Sequence, residues 1–181
     1  VKTLSICDII LTEDTASFDS YYTRVRDLYN VQLEKKQRIV HLHKENEFEK
    51  LPWVLKQLED KQIIGLVSES GLPGISDPGR LIIERALKSN HPFTVVPGPT
   101  AFATAAVLSG FSTDQILFLG FLPKKENEII KIQENLTSRK TKLYNPTIVF
   151  YESPHRIQKT LAIIKYFIQR RTYSSANFIH F

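Results

Sequence analysis

The chain has 181 residues, 42% of them hydrophobic and 24% charged, with a net charge of +5. That is the make-up of a globular protein large enough to bury a core in one ordinary domain or two small ones. No apolar run is long enough to span a membrane and no signal peptide opens the chain; its one cysteine, Cys7, rules out an internal disulfide and a multi-cysteine metal site. A reducing, cytoplasmic setting with no membrane and no metal is the expectation. Methionine is absent and Val1 leads straight into a helix-like segment, so the chain is expected to be incomplete at its N-terminus. The charge is uneven: residues 1–118 carry 13 Lys/Arg against 15 Asp/Glu, net −2, and residues 119–181 carry 11 against 4, net +7. The second half therefore reads either as facing a polyanion or as a solvated lysine-rich surface.

In chain order, residues 3–10 pass from a helix into a strand whose core is Asp8-Ile9-Ile10-Leu11. Glu13, Asp14 and Thr15 follow at its C-terminal end, where ligands gather in open α/β sheets. The two carboxylates there either face a ligand or cation, or Asp14 or Thr15 caps the next helix. Residues 18–33 place Tyr21, Val25, Leu28 and Tyr29 at helical spacing, as a core face. Residues 38–42 alternate as a strand, followed by His43-Lys44-Glu45-Asn46-Glu47. That cluster is either substrate-facing or the capped start of a surface helix near Asn46. Leu51, Val54, Leu55 and Leu58 then make an amphipathic helix beside Trp53.

Ile63-Ile64-Gly65-Leu66-Val67 has the length and composition of a strand buried on both faces. It breaks into SESGLPGISDPG, residues 68–79, where glycines and proline end the strand and Asp77-Pro78 supply an N-cap and a first helical residue. The predicted helix over 80–88 carries Leu81, Ile82, Ala86 and Leu87 on one face and ends at Asn90 in a left-handed cap. Phe93-Thr94-Val95-Val96 reads as the next strand, turned by Pro97-Gly98-Pro99. Thr100 would then cap a helix over 101–108 rich in alanine, with Ala101, Ala103, Ala105 and Ala106. Two such strand–tight loop–helix units form a crevice in which glycines admit a ligand close to bare N–H groups. Neither loop is G-x-G-x-x-G or G-x-x-x-x-G-K-[ST], so dinucleotide and P-loop phosphate binding are unsupported.

A domain boundary is expected near Asp114, giving an N-terminal α/β domain over 1–113 and a partial, basic α/β domain over 114–181. The second domain reads as a strand over 116–122 and the basic Pro123-Lys124-Lys125. A helix over 126–143 follows, with Ile129, Ile132 and Leu136 inward. A strand over 147–151, then Glu152-Ser153-Pro154-His155-Arg156, leads into a helix over 157–167.

SESGLPGISDPG resembles the SDAGTPGISDPG segment of the tetrapyrrole methylase-like superfamily, in particular its branch acting on small-subunit ribosomal RNA. TEDT at residues 12–15, HKENE at 43–47, VVPGPTA at 95–101, GFLPKK at 120–125 and VFYESPHR at 149–156 fit that family in the same order. Glu69, Ser70 and Leu72 replace its aspartate, alanine and threonine, and Ala16 and Ile129 stand where it has arginine. The family's first strand and its T-P-I-G-N-like loop have no counterpart here, and residues 169–181 do not match its continuation. The resemblance implies an α/β fold of two domains with a cofactor crevice between them, N-terminally truncated. It also implies S-adenosylmethionine-dependent 2′-O-methylation of a cytidine in 16S ribosomal RNA.

Carried over by position, the cofactor residues are Ser68, Glu69, Ser70, Gly71, Leu72, Ile75, Ser76, Thr100, Ala101, Phe121, Tyr151 and Glu152. Glu13, Asp14 and His43 are the candidates for a base acting on the ribose hydroxyl. Asn46, Lys124, Lys125, His155 and Arg156 are expected to meet RNA. The small ribosomal subunit or its RNA is the expected partner, and a homodimer the expected assembly. Two alternatives remain: a methylase of a tetrapyrrole or other small molecule, and an inactive, truncated RNA-binding homologue.

Overall fold

A computed structural model describes residues 2–30, 36–137, 146–170 and 178–180. The chain divides into two compact units, Val1–Pro99 and Thr100–Phe181. Both are α/β with parallel sheets.

The first unit runs α1 (Lys2–Ser5), β1 (Ile9–Thr12), α2 (Thr15–Leu28), β2 (Arg38–His41), α3 (Glu47–Glu59), β3 (Ile64–Val67) and α4 (Arg80–Lys88). Its sheet has the order β2-β1-β3, with Ile9 opposite both Arg38 and Ile64 and Thr12 opposite both His41 and Val67. All four residues of β1 are buried, which is why that central strand reads as an unbroken apolar run. Successive side chains point to opposite faces. Ile9 and Leu11 pack with Leu42, Leu51, Val54 and Ile82, whereas Ile10 packs with Cys7, Phe18 and Tyr22. Burying a side chain such as Ile10 or Leu11 contributes about 1.5–3 kcal/mol. At the other end of the ladder, Asp8 Oδ2 accepts a hydrogen bond from the Ile63 amide at 2.8 Å and fixes where β3 begins.

The second unit runs α5 (Ala101–Leu108), β4 (Ile116–Phe121), α6 (Glu126–Thr137), β5 (Thr147–Tyr151), α7 (Ile157–Arg170) and β6 (Phe178–His180), with the sheet order β4-β5-β6. Val149 of β5 meets Ala105 and Ala106 of α5, while Phe150 on the other face packs with Leu122, Ile129 and Ile164. Ile129 is buried there, so an arginine could not occupy its place without burying a charge. Composition places a boundary near Asp114; the contacts group α5 with the second unit because its small residues seat it on β5.

Three expectations are corrected and one element is new. Residues 93–96 form no strand, and Phe93, Val95 and Val96 are exposed, without ladder partners among the described residues. In α2 the buried side chains are Phe18 and Tyr22, stacked with ring centroids 5.3 Å apart; Tyr21, Leu28 and Tyr29 are exposed. Helix α4 starts at Arg80 with Gly79 as its N-cap, rather than at Asp77-Pro78, and Leu87 on it is exposed. Strand β6, pairing parallel with β5, was not foreseen. The expected helical residues 31–33 and 138–143 lie outside the described residues.

Candidate functional site

Because β1, β2 and β3 are parallel, the segments after them share one edge of the first sheet. That edge holds Glu13 and Asp14 after β1, residues 43–47 after β2 and residues 68–79 after β3.

Asp14 is the N-cap of α2. Its carboxylate accepts from the Ala16 amide at 2.8 Å, the Ser17 amide at 3.1 Å and the Ser17 hydroxyl at 3.1 Å. These donors, the Ser17 and Ala16 amides first, hold its pKa below the usual carboxylate range. Glu13 beside it is half-buried. The Glu45 carboxyl is held below its ordinary value first by its own backbone amide and then by His43, whose Nδ1 lies 2.7 Å from Oε2; the His41 and His43 rings are 4.8 Å apart. Asn46 is spent on its own turn: Oδ1 accepts the His43 amide at 2.9 Å and Nδ2 donates to the His41 carbonyl at 3.4 Å.

The 68–79 loop bends through four residues of positive φ, Gly71, Gly74, Ser76 and Gly79. Gly71 has φ +83°, and a Cβ on it would stand 3.3 Å from the Pro99 carbonyl oxygen, so the backbone comes close where a side chain would crowd it. Ser68 Oγ donates to the Gly71 carbonyl at 3.2 Å across the bend. Leu72, Ile75 and Ser76 are half-buried, while Glu69 and Ser70 are exposed. The Asp77 carboxyl is pushed above the usual range, first by burial and then by the negative charge of Glu13, with Glu69 adding to it and Lys44 opposing. Glu13, Glu69 and Asp77 therefore share one negative field.

Two residues of this edge bind the loop from outside it. Lys44 Nζ donates to the Ser76 carbonyl. Buried Glu47 accepts at Oε1 from the amides of Gly79 at 3.1 Å, Leu81 at 2.8 Å and Ile82 at 3.2 Å, and so caps α4, whose own N-cap glycine has no side chain to do it. Sequence reasoning placed Lys44 and Glu47 in a possible substrate-facing cluster and Asp77 at a helix start, and missed the hold of the first two on the 68–79 loop. Nothing local to HKENE signals a partner more than thirty positions away.

The remaining candidates belong to the second unit. Thr100 is the N-cap of α5 and Ala101 its exposed first residue. Phe121 and Tyr151, at the C-terminal ends of β4 and β5, meet edge-on with centroids 5.5 Å apart, and Phe118 and Phe102 continue the aromatic row. Glu152 is buried and fully engaged: it accepts from the Ser153 amide and the Thr160 hydroxyl, each at 2.8 Å, and pairs with Arg156 at 3.1 Å. Arg156 also donates to the Pro123 carbonyl at 2.7 Å. Lys124, Lys125 and His155 are exposed. Among the described residues no group of three His, Cys, Asp or Glu is arranged to hold a metal, and no helix is long and apolar enough to cross a membrane.

Two units with parallel sheets and a glycine-bearing loop at the strand ends make this an α/β protein of the class whose ligands gather at that edge. The family model described as Tetrapyrrole (Corrin/Porphyrin) Methylases matches residues 1–176, and the chain belongs to that family. Among its relatives, the protein named ribosomal RNA small subunit methyltransferase I from Thermotoga maritima is 34% identical over 161 residues, covering 89% of this chain and 66% of that protein. The protein of the same name from Halalkalibacterium halodurans is 33% identical over 161 residues, covering 89% and 51%. That from Helicobacter pylori J99 is 39% identical over 131 residues, covering 70% and 44%. The chain thus spans about half the length of several curated relatives it matches.

A methyltransferase family implies a methyl donor. On the 68–79 loop Leu72 and Ile75 are half-buried, the backbone comes close at Gly71, and Glu13 and Glu69 act on the Asp77 carboxyl, features compatible with a partly apolar, cationic ligand.

Proposed function

We propose that this chain is the cofactor-binding part of an S-adenosylmethionine-dependent methyltransferase that acts on the 2′-hydroxyl of a cytidine in 16S ribosomal RNA. The observation that carries the reading is the 68–79 loop at the C-terminal edge of the first parallel sheet. The names of relatives matched along most of the chain support it.

S-adenosylmethionine supplies a methyl group on a sulfonium, already a good leaving group. The protein's work is then chiefly to align donor and hydroxyl, an effect worth about 7–11 kcal/mol in favourable systems. Ser68, Glu69, Ser70, Gly71, Leu72, Ile75 and Ser76 hold the cofactor from the first unit; Thr100, Ala101, Phe121 and Tyr151 are its candidates on the second. Glu152 shapes the turn after β5, since its carboxylate is occupied by Ser153, Thr160 and Arg156. Glu13 and His43 are the bases to test. Asp14, held ionised by its cap bonds, has little tendency to take a proton.

RNA phosphates meet the basic second half through exposed Lys124, Lys125 and His155. Asn46, bound to its own turn, and Arg156, bound to Glu152 and across to the Pro123 carbonyl, act by shaping those segments. A homodimer working in the cytoplasm, where small subunits are made, completes the reading.

The test is methyl transfer from labelled S-adenosylmethionine to small subunits from cells lacking the protein. One 2′-O-methylcytidine in 16S RNA is the expected product. No label in the RNA from a folded sample that binds the cofactor would overturn the reading.

A further inference from the structure

We propose that Glu47 and Lys44 are positioning residues that clamp the 68–79 loop and thereby set its affinity for the cofactor. The inference rests on the reading of that loop as the cofactor site.

The two contacts fall at the C-terminal end of the loop. Lys44 takes the carbonyl of Ser76, a non-glycine residue with φ +64°, and Glu47 takes the amide of Gly79, three positions on, together with those of Leu81 and Ile82. A left-handed serine is held only when its surroundings fix it. Gly79, at φ +113°, contributes no capping side chain, so the first turn of α4 draws on Glu47 for its acceptor. One carboxylate oxygen serves three amides at the positive end of a helix, where negative charge is favoured and an uncharged amide oxygen is a weaker substitute. Glu47 is itself the first residue of α3, whose Leu51 and Val54 are set in the core with Leu11 and Ile82. The loop is therefore tied to the sheet through α3, and its position does not depend on its own few internal bonds. Lys44 further sets its charge against the raised pKa of Asp77 and so tempers the acidic field on the loop.

The test compares Glu47→Gln, Glu47→Asp and Lys44→Met with Leu51→Ala, which loosens the same helix through its apolar face. Two readouts are taken on the 181-residue chain: hydrogen exchange of the amides at 71–82, and the Kd for S-adenosylmethionine by calorimetry. In Glu47→Gln the amides of Gly79, Leu81 and Ile82 are expected to exchange at least tenfold faster relative to those of α2, and Kd to rise at least tenfold. Glu47→Asp should recover part of both effects, and Lys44→Met should raise Kd a few-fold with little change in Tm. Leu51→Ala should lower Tm and, wherever the protein is folded, raise Kd by much less than Glu47→Gln does. The clamp is overturned if the Glu47 and Leu51 variants speed exchange in the same uniform pattern. It is equally overturned if the 71–82 amides loosen selectively while Kd stays that of the wild type. Should Glu47→Gln fail to fold, Lys44→Met on its exposed side chain decides: an unchanged Kd and unchanged exchange at residues 76–79 would overturn the proposal. Selective loosening in a wild type that binds no S-adenosylmethionine would instead overturn the cofactor reading and leave the tether as a structural one.

Discussion

Among the described residues each unit buries one carboxylate after a strand, and the two are used in opposite ways. Glu152, after β5, bonds to Ser153, Arg156 and Thr160, all within eight positions, and holds together the turn that starts α7. Glu47, after β2, bonds to amides 32 to 35 positions away and fixes a different helix and the loop before it. The first is a local knot that a short peptide segment nearly specifies. The second exists only once the sheet has brought α3 and α4 together. A buried charge near a ligand loop is thus not a sign of ligand contact in itself; what matters is whose donors it satisfies.

The contrast can be broken by removing each carboxylate. Glu152→Ala strands Arg156 and the Thr160 hydroxyl and is expected to cost about 3 kcal/mol in urea denaturation, the lower range for breaking a buried pair because Arg156 reaches the Pro123 carbonyl as well. It should leave hydrogen exchange in the 68–79 loop unaltered. Glu47→Ala is expected to cost about 2–3 kcal/mol, from a lost helix cap and three amides deprived of their acceptor, and to speed exchange in that loop.

Gly79→Ala sharpens the comparison from the amide side. The new Cβ would lie 2.3 Å from Leu66 Cδ2 at a φ of +113°, so the leucine must turn and the backbone is strained. A loss of about 1–2 kcal/mol is expected in the same denaturation, with weaker binding of the cofactor.

The smallest effect is the most specific. The Asp77 carboxyl has its pKa raised above the ordinary 3.8, so the folded protein holds that proton more tightly than the unfolded chain. Stability contributed by this group is therefore greatest at low pH and declines as pH rises from the unfolded value through the raised one. Asp77→Asn should raise Tm at neutral pH, and the gain should vanish below the unfolded pKa. A variant less stable than wild type at neutral pH would show that the Lys44 attraction outweighs the cost of burial together with the repulsion from Glu13 and Glu69.

Much of this was legible from the chain. The apolar run at β1, the amphipathic face of α3 and the start of α5 after Thr100 depend on local pattern, and the structure has them where the pattern puts them. Residues 93–96 show the limit: alternation and β-branching favour a strand, but a strand also needs a neighbour to pair with. In α2 the helical period was legible but its face was not, because stacking of Phe18 on Tyr22 settles which side turns inward. Among site residues, Asp14 as a cap is a local matter and was one of the readings open. The reach of Glu47 to α4 depends on tertiary packing and has no local signature.

The most direct test of the central claim is calorimetric titration of the 181-residue chain with S-adenosylmethionine. The expected result is one site with a Kd in the micromolar range, about −8 kcal/mol, weakened by Glu47→Gln. A folded sample that gives no saturable heat would contradict the assignment of the 68–79 loop as a cofactor site.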